Sequence, residues 1–218
     1  MRFWWLSTSM DGTPEPPLGG DEAPLEESSI LGDPRQRRTL SILLDRSEPI
    51  TVHELGVRIA AREADVAPSD ATEADSQSIR KDLYHRCLPK LQAVGWIERR
   101  SGGIIADEPL HLENGTLSLP DLREPEHPAW EAISVLLARP YRQDLASIIA
   151  ERCPRIALEE LTTELLTRGR VRWTRSEDAL SSRLHHVDLP KLAEVGVVEY
   201  DAGDNVVACT SRLTSLVD

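Results

Sequence analysis

A block of twenty residues that occurs twice constrains this 218-residue chain more than any other feature. LYHRCLPKLQAVGWIERRSG runs from Leu83 to Gly102, and LHHVDLPKLAEVGVVEYDAG runs from Leu184 to Gly203. Ten of the twenty positions are identical without a gap, namely Leu83, His85, Leu88, Pro89, Lys90, Leu91, Val94, Gly95, Glu98 and Gly102. Chance would give about one match. The likeness extends upstream, where Pro34, Ser41, Ile42, Arg46, Ile50, Glu54 and Leu55 match Pro140, Ser147, Ile148, Arg152, Ile156, Glu160 and Leu161. The offset between the copies shrinks from this stretch to the next, so one internal loop differs in length. Units of about eighty residues are large enough to fold as small domains.

The repeat predicts a disordered acidic tail over 1–28, a first domain over 29–107 and an acidic linker over 108–126. A second domain over 127–210 and a tail over 211–218 complete the chain. Within the first copy, Pro34 belongs in a first helical turn with Asp33 as its cap. Leu40, Leu43 and Leu44 then share a face. Ser47-Glu48-Pro49 breaks that helix, Ile50-Thr51 is extended, and a second helix spans Val52 to Ala61. A third helix starts near Ser76, buries Ile79, Leu83 and Cys87, and stops at Gly95. Trp96 to Arg99 and Ile104 to Ala106 flank Ser-Gly-Gly as a hairpin, matched in the second copy by Val197 to Tyr200 and Asn205 to Ala208. The expected class is α+β, mainly helical, as two tandem winged helix-turn-helix domains.

The net charge of −12 argues against a nucleic-acid binder until its distribution is read. Residues 1–28 hold six acidic side chains and one basic, and residues 108–126 hold five and one. Residues 29–107 are neutral with twelve of each sign, and residues 127–209 stand at −3. Lys81, Lys90 and Lys191 are the only lysines beside twenty-two arginines. Such an acidic, lysine-poor chain resembles proteins of salt-loving archaea. In molar salt the Debye length is about 3 Å, so a basic isoelectric point adds little to DNA binding there.

The motif L-x-H-x-x-LPKL-x-x-x-G, present in both copies, resembles a haloarchaeal winged-helix family whose domains are regarded as DNA-binding regulators. LPKLAEVGVVEY is also similar to the recognition helix and first wing strand of arsenic-repressor-type regulators. The resemblance covers both repeats. It implies a transcriptional regulator whose partner is double-stranded DNA, acting as a covalent pseudo-dimer. A homodimer or a protein partner remains open, and an interaction module without DNA is the rival reading.

Plotted at 100° per residue, the third helix turns Lys81 and His85 outward, as it does Ser182 and His186, with Arg183 and His185 on the flank. That face would enter the major groove. Arg80, Tyr84 and Arg86 would lie near phosphates. Pro89 and Pro190 each remove a helical hydrogen bond to the carbonyl of His85 or His186, which predicts two short helices joined at a kink. The matched histidines then either orient the kink or meet the groove. Metal ligation is a weak third reading, since His85 and Cys87 stand two apart and have no second cluster.

The loop before the third helix is acidic in the first copy and reads RGRVRWTR in the second. Its Arg168, Arg170, Arg172 and Arg175 around Trp173 suit phosphate contact, so the second copy is the expected stronger binder. Cys87, Cys153 and Cys209 are read as buried free thiols, because an odd, widely spaced set makes no disulfide framework. No Gly-rich phosphate loop, nucleophile motif or paired metal ligands suggest an enzyme or a cofactor. The opening apolar residues are too short a run for a signal core, and Met10 is an alternative start. No run reaches the roughly 18 apolar residues of a membrane span, and a cytoplasmic location is expected.

Overall fold

The computed structural model describes residues 25–107, 117–169, 171 and 173–217. The first repeat opens with α1 (Leu25–Leu31) and α2 (Pro34–Leu44). Asp33 caps α2, its carboxylate accepting from the Arg35 and Gln36 amides at 2.9 and 3.3 Å. Thr51 caps α3 (Val52–Ala64), which ends on Asp65 in the left-handed region at φ 53°. Helix α4 (Glu73–Asp82) starts three residues earlier than the apolar pattern predicts. Thr72 supplies the reason, because its hydroxyl accepts from the Asp75 amide at 3.2 Å and fixes the first turn there.

The prolines do not split the third helix in two. A single π turn, Leu83–Cys87, joins α4 to α5 (Leu88–Ala93) without a break. Pro89 has no N–H for the His85 carbonyl, and the Leu88 amide bonds back to the Leu83 carbonyl, five residues earlier. The extra residue rotates the apolar stripe, so that Ile79, Leu83 and Cys87 hand over to Leu88 and Leu91, all buried. The second repeat repeats this device: α9 (Glu177–Arg183), a π turn at Leu184–Asp188, then α10 (Leu189–Glu194) with Pro190.

Each third helix leads through a glycine at positive φ (Gly95 at 76°, Gly196 at 69°) into an antiparallel hairpin. In the first repeat β1 (Ile97–Arg100) pairs with β2 (Gly103–Ala106), and Ile50 adds one bridge to Ile104. Gly103 sits so close to that bridge that a Cβ there would lie 2.1 Å from the Ile50 carbonyl oxygen. In the second repeat the edge grows into a full strand. β3 (Arg155–Ala157), β5 (Val206–Cys209) and β4 (Val198–Asp201) form a three-stranded sheet in that order.

This sheet corrects the reading of the cysteines. Cys153 and Cys209 are joined by a disulfide, with Cα atoms 5.7 Å apart, and only Cys87 is a buried free thiol. Spacing along the chain could not reveal the pair, because antiparallel registration of Arg155 with Ala208 brings the two together.

Helices α6 (Ala129–Leu137), α7 (Pro140–Glu151) and α8 (Leu158–Thr167) complete the second repeat. The equivalent helices α1 and α6 pack on each other, and each also packs on the α5 or α10 of its own repeat. Ile30, Leu31, Ile133, Leu136 and Leu137 therefore belong to one continuous core. Both predicted tails and the linker need correction where they are described. Residues 25–28 belong to α1. Leu117 and Leu122 are buried, and Ser211–Val217 forms α11, burying Leu213 and Leu216 against α7. The Ser118 amide donates to the Leu216 carbonyl at 2.8 Å, closing the linker onto that helix. The rest of the predicted acidic tail and residues 108–116 lie outside the described residues.

Candidate nucleic-acid interface

The outward face of the third helix is held in place by a different mount in each repeat. In the second repeat the mount is Asp188, which is fully buried. It accepts from Arg142 Nε and from the Tyr141 hydroxyl of α7, at 2.8 and 2.9 Å. Burial and the Asp188 charge both push the Tyr141 phenol upward, so it stays a donor. In the first repeat the equivalent position is Cys87, and the acid has moved to Asp82, where the second repeat has Arg183. Asp82 accepts from Arg35 of α2 at 3.0 Å and from Arg86 at 2.7 and 2.8 Å. The Arg86 hydrogen bond, with Arg35 behind it, holds the Asp82 carboxyl far below its ordinary value despite partial burial. Burial pushes the Cys87 thiol up to about 12, leaving it protonated beside Asp82.

These mounts decide which predicted contact residues stay available. Arg80 bonds Glu73 at 2.9 Å and meets His53 Nδ1 of α3. Its stem fills the space over Gly56, where a Cβ would stand 2.6 Å from Arg80 Cγ. Arg183 donates to the Tyr141 hydroxyl at 2.8 Å and lies 5.3 Å from the Trp173 ring centre. Arg86 is bound to Asp33 and Asp82. Arg168, at the C-terminal end of α8, is paired with Glu151 at 2.5 Å and Glu164 at 2.9 Å. Arg170 and Arg172 lie outside the described residues. Arg175 is exposed just ahead of Ser176, the cap of α9.

Lys81, Tyr84 and His85 remain together on the exposed side of α4 and its π turn. Tyr84 is 57% exposed, although aromatic, and the His85 ring stands edge-on to it at 5.8 Å. Arg99, on the hairpin strand β1, places its guanidinium 5.8 Å from the centre of the Tyr84 ring. In the second repeat the same two positions carry His185 and Tyr200, bonded Nδ1 to hydroxyl at 2.5 Å. His186 is exposed and packs edge-on against His185 at 4.5 Å. Ser182, His185 and His186 line an open groove with Asp178 and Asn205. One pair of positions thus ties the third helix to the hairpin in both copies, although the residue types have changed.

The hairpins differ in charge. Both carry an exposed glutamate at one equivalent position, Glu98 and Glu199, but the first adds exposed Arg99 and Arg100, the latter paired with Glu98 at 2.8 Å, whereas the second adds Asp201 and Asp204. Arg99 and Arg100 are not among the contact residues expected from the sequence. Two adjacent arginines on a hairpin of an acidic chain were the available signal. Among the described residues no group of three or more His, Cys, Asp or Glu could hold a metal ion, and no helix is long and apolar enough to cross a membrane.

A family model described as a domain of unknown function (DUF7344) matches residues 28–104 and again 135–208. The chain belongs to that family. Its two matched stretches begin within α1 and α6 and end in β2 and β5, so the family unit is the repeat itself. No curated protein and no solved structure matches the chain.

Proposed function

We propose that this protein is a DNA-binding regulator of transcription built as a tandem winged-helix pseudo-dimer. After a leading helix, each repeat follows the order helix, extended segment, helix, helix and hairpin, which suits insertion of the last of these helices into a major groove beside a wing. The observation that carries the reading is the exposed run Lys81, Tyr84 and His85 continued by Arg99 and Arg100 on the adjoining hairpin. Lysine and histidine can meet base edges, while tyrosine and strand arginines suit the phosphate backbone. Packing of α1 on α6 joins the two repeats in one body, as a pseudo-dimer addressing two half-sites about 34 Å apart would need. Arg168 is held in ion pairs and the second hairpin is acidic, so the first repeat is the stronger candidate for contact. This reverses the preference drawn from the RGRVRWTR loop.

A high-salt cytoplasm belongs to the same reading. Contacts made by short-range stacking and hydrogen bonding survive screening better than long-range attraction. The acidic second hairpin favours a variant in which that repeat engages a basic protein partner. Selection of bound sequences from random duplex DNA by the full chain, followed by gel shift over graded KCl, tests the proposal. The triple variant Lys81→Glu, Arg99→Glu, Arg100→Glu should lose retention at every salt concentration. Arg175→Glu with His186→Ala should weaken it less. Unchanged retention in the triple variant, or no enriched sequence, would leave the protein-interaction reading in its place.

A further inference from the structure

The two repeats treat one equivalent surface in opposite ways. Between the end of α2, the outer side of α3 and the following loop lies a cavity of about 260 Å³. Arg46, Arg58 and Arg62 line it, with Ile42, Ala61 and Val66 as its apolar side. By alignment, Arg46 and Arg62 correspond to Arg152 and Arg168 of the second repeat, and Glu54 corresponds to Glu160. Arg58, however, corresponds to Glu164. That glutamate bridges the two arginines of the second repeat, bonding Arg152 at 2.8 Å and Arg168 at 2.9 Å. Glu160 and Glu151 complete the cluster at 3.3 and 2.5 Å, giving three carboxylates for two guanidinium groups.

The first repeat lacks the bridging carboxylate and places a third guanidinium instead. Glu54 serves Arg58 at 2.9 Å and Arg46 only at 3.6 Å. The one acid lining the cavity, Asp45, is half exposed and lies 3.8 Å from Arg123, so it leaves the three arginines in excess. Arg62 donates to the Ser41 hydroxyl at 2.9 Å, and Arg46 Nε is buried with no hydrogen-bond partner. Like charges converging on a cavity, one with a desolvated donor left unpaired, are costly unless an anion joins them.

We propose that this cavity binds a small organic anion whose carboxylate or phosphate oxygens take the place that Glu164 fills in the second repeat. Guanidinium forks match both groups. The carbon skeleton would lie on Ile42, Ala61 and Val66. A volume below the usual range of about 300–1,000 Å³ for ligand pockets selects a short skeleton over a nucleotide. The site also abuts the segment leading to the second repeat: Ser41 donates to the Arg123 carbonyl at 3.2 Å, and Arg123 donates to the Leu44 carbonyl at 3.3 Å. This inference does not rest on the DNA-binding reading.

The test uses the full chain, with thermal unfolding and calorimetric titration by inorganic phosphate and by succinate, each against chloride at equal ionic strength. Saturable stabilisation with one site per chain is expected from at least one anion, and the better one identifies the ligand group. Arg58→Glu builds in the missing carboxylate, so it should stay folded while weakening binding at least about tenfold. Glu164→Arg should open a second site and raise the stoichiometry to two. Stabilisation no greater than that by chloride would overturn the proposal. So would wild-type affinity in Arg58→Glu together with no second site in Glu164→Arg.

Discussion

At the scale of single residues, the two repeats solve one problem twice: how to moor a third helix whose other face is exposed. Asp188 and Arg142 are both nearly inaccessible, so neither charge has water to fall back on. Asp188→Ala should cost about 3–5 kcal/mol in denaturant unfolding, because Arg142 is left buried and unpaired. Adding Arg142→Gln reproduces the Gln36 found at that position of the first repeat, and the double variant should be more stable than Asp188→Ala alone. A strictly additive loss would show that the pair is not coupled. In the first repeat the mooring depends on pH. Asp82 lies below its ordinary value of 3.8 through the Arg86 and Arg35 bonds. For Asp33 burial is the largest influence and works upward, but the Arg86 bond and charge together with the Gln36 and Arg35 amides outweigh it, and the shift is also downward. Depressed carboxyls stabilise the fold above the ordinary value, and that contribution disappears as pH falls below it. Asp82→Asn should therefore lower stability at neutral pH by about 2 kcal/mol and flatten the acid limb of the stability profile. An acid limb as steep as that of the native chain would refute this account.

At the scale of elements, the disulfide is the clearest difference between the copies. Ile50 holds the first hairpin through one bridge, while β3 of the second repeat is paired along its length and clipped by Cys153–Cys209 across 56 positions. Cys153→Ser should cost about 2–4 kcal/mol, and reduction should have the same effect. Hydrogen exchange should place the loss in β3 and β5, leaving β1 and β2 as protected as before. Much of this architecture was legible in sequence because its determinants are local. Pro34 behind Asp33, the glycines that end each third helix and the turn residues of each hairpin act within a few residues of themselves. The disulfide was not legible, because strand registration decides it. Neither was α11, whose Leu213 and Leu216 are too few to establish a period and become core only against α7. The candidate interface divides along the same line. Exposure of Lys81 and His85 follows from helical phase. The occupation of Arg80 and Arg183 follows from Glu73, His53 and Tyr141, and the last two lie on other helices.

At the scale of the whole molecule, duplication has yielded one body whose two halves share a core, and one arginine makes that union asymmetric. Arg37 of α2 is 5% exposed, and its equivalent in the second repeat is Gln143. The guanidinium donates to the Leu31 carbonyl at 2.6 Å and the Ser134 hydroxyl at 3.3 Å. It also lies 5.0 Å from the Trp130 ring centre, so it touches α1 of its own repeat and α6 of the other. Burial lowers its pKa, but arginine remains charged at any pH the fold survives. Its removal leaves a buried carbonyl and an aromatic face without their partner. Arg37→Ala should cost about 3 kcal/mol, concentrated at the junction between the repeats. The native chain, with its continuous core, is expected to unfold in a single calorimetric transition, and Arg37→Ala should separate this into two. The neighbouring Arg38, paired with a largely exposed Glu126, is the control. Its replacement by alanine should cost less than about 1 kcal/mol and leave one transition. If both variants unfold as a single unit with equal losses, the apolar contact of α1 with α6 holds the repeats together without help from Arg37.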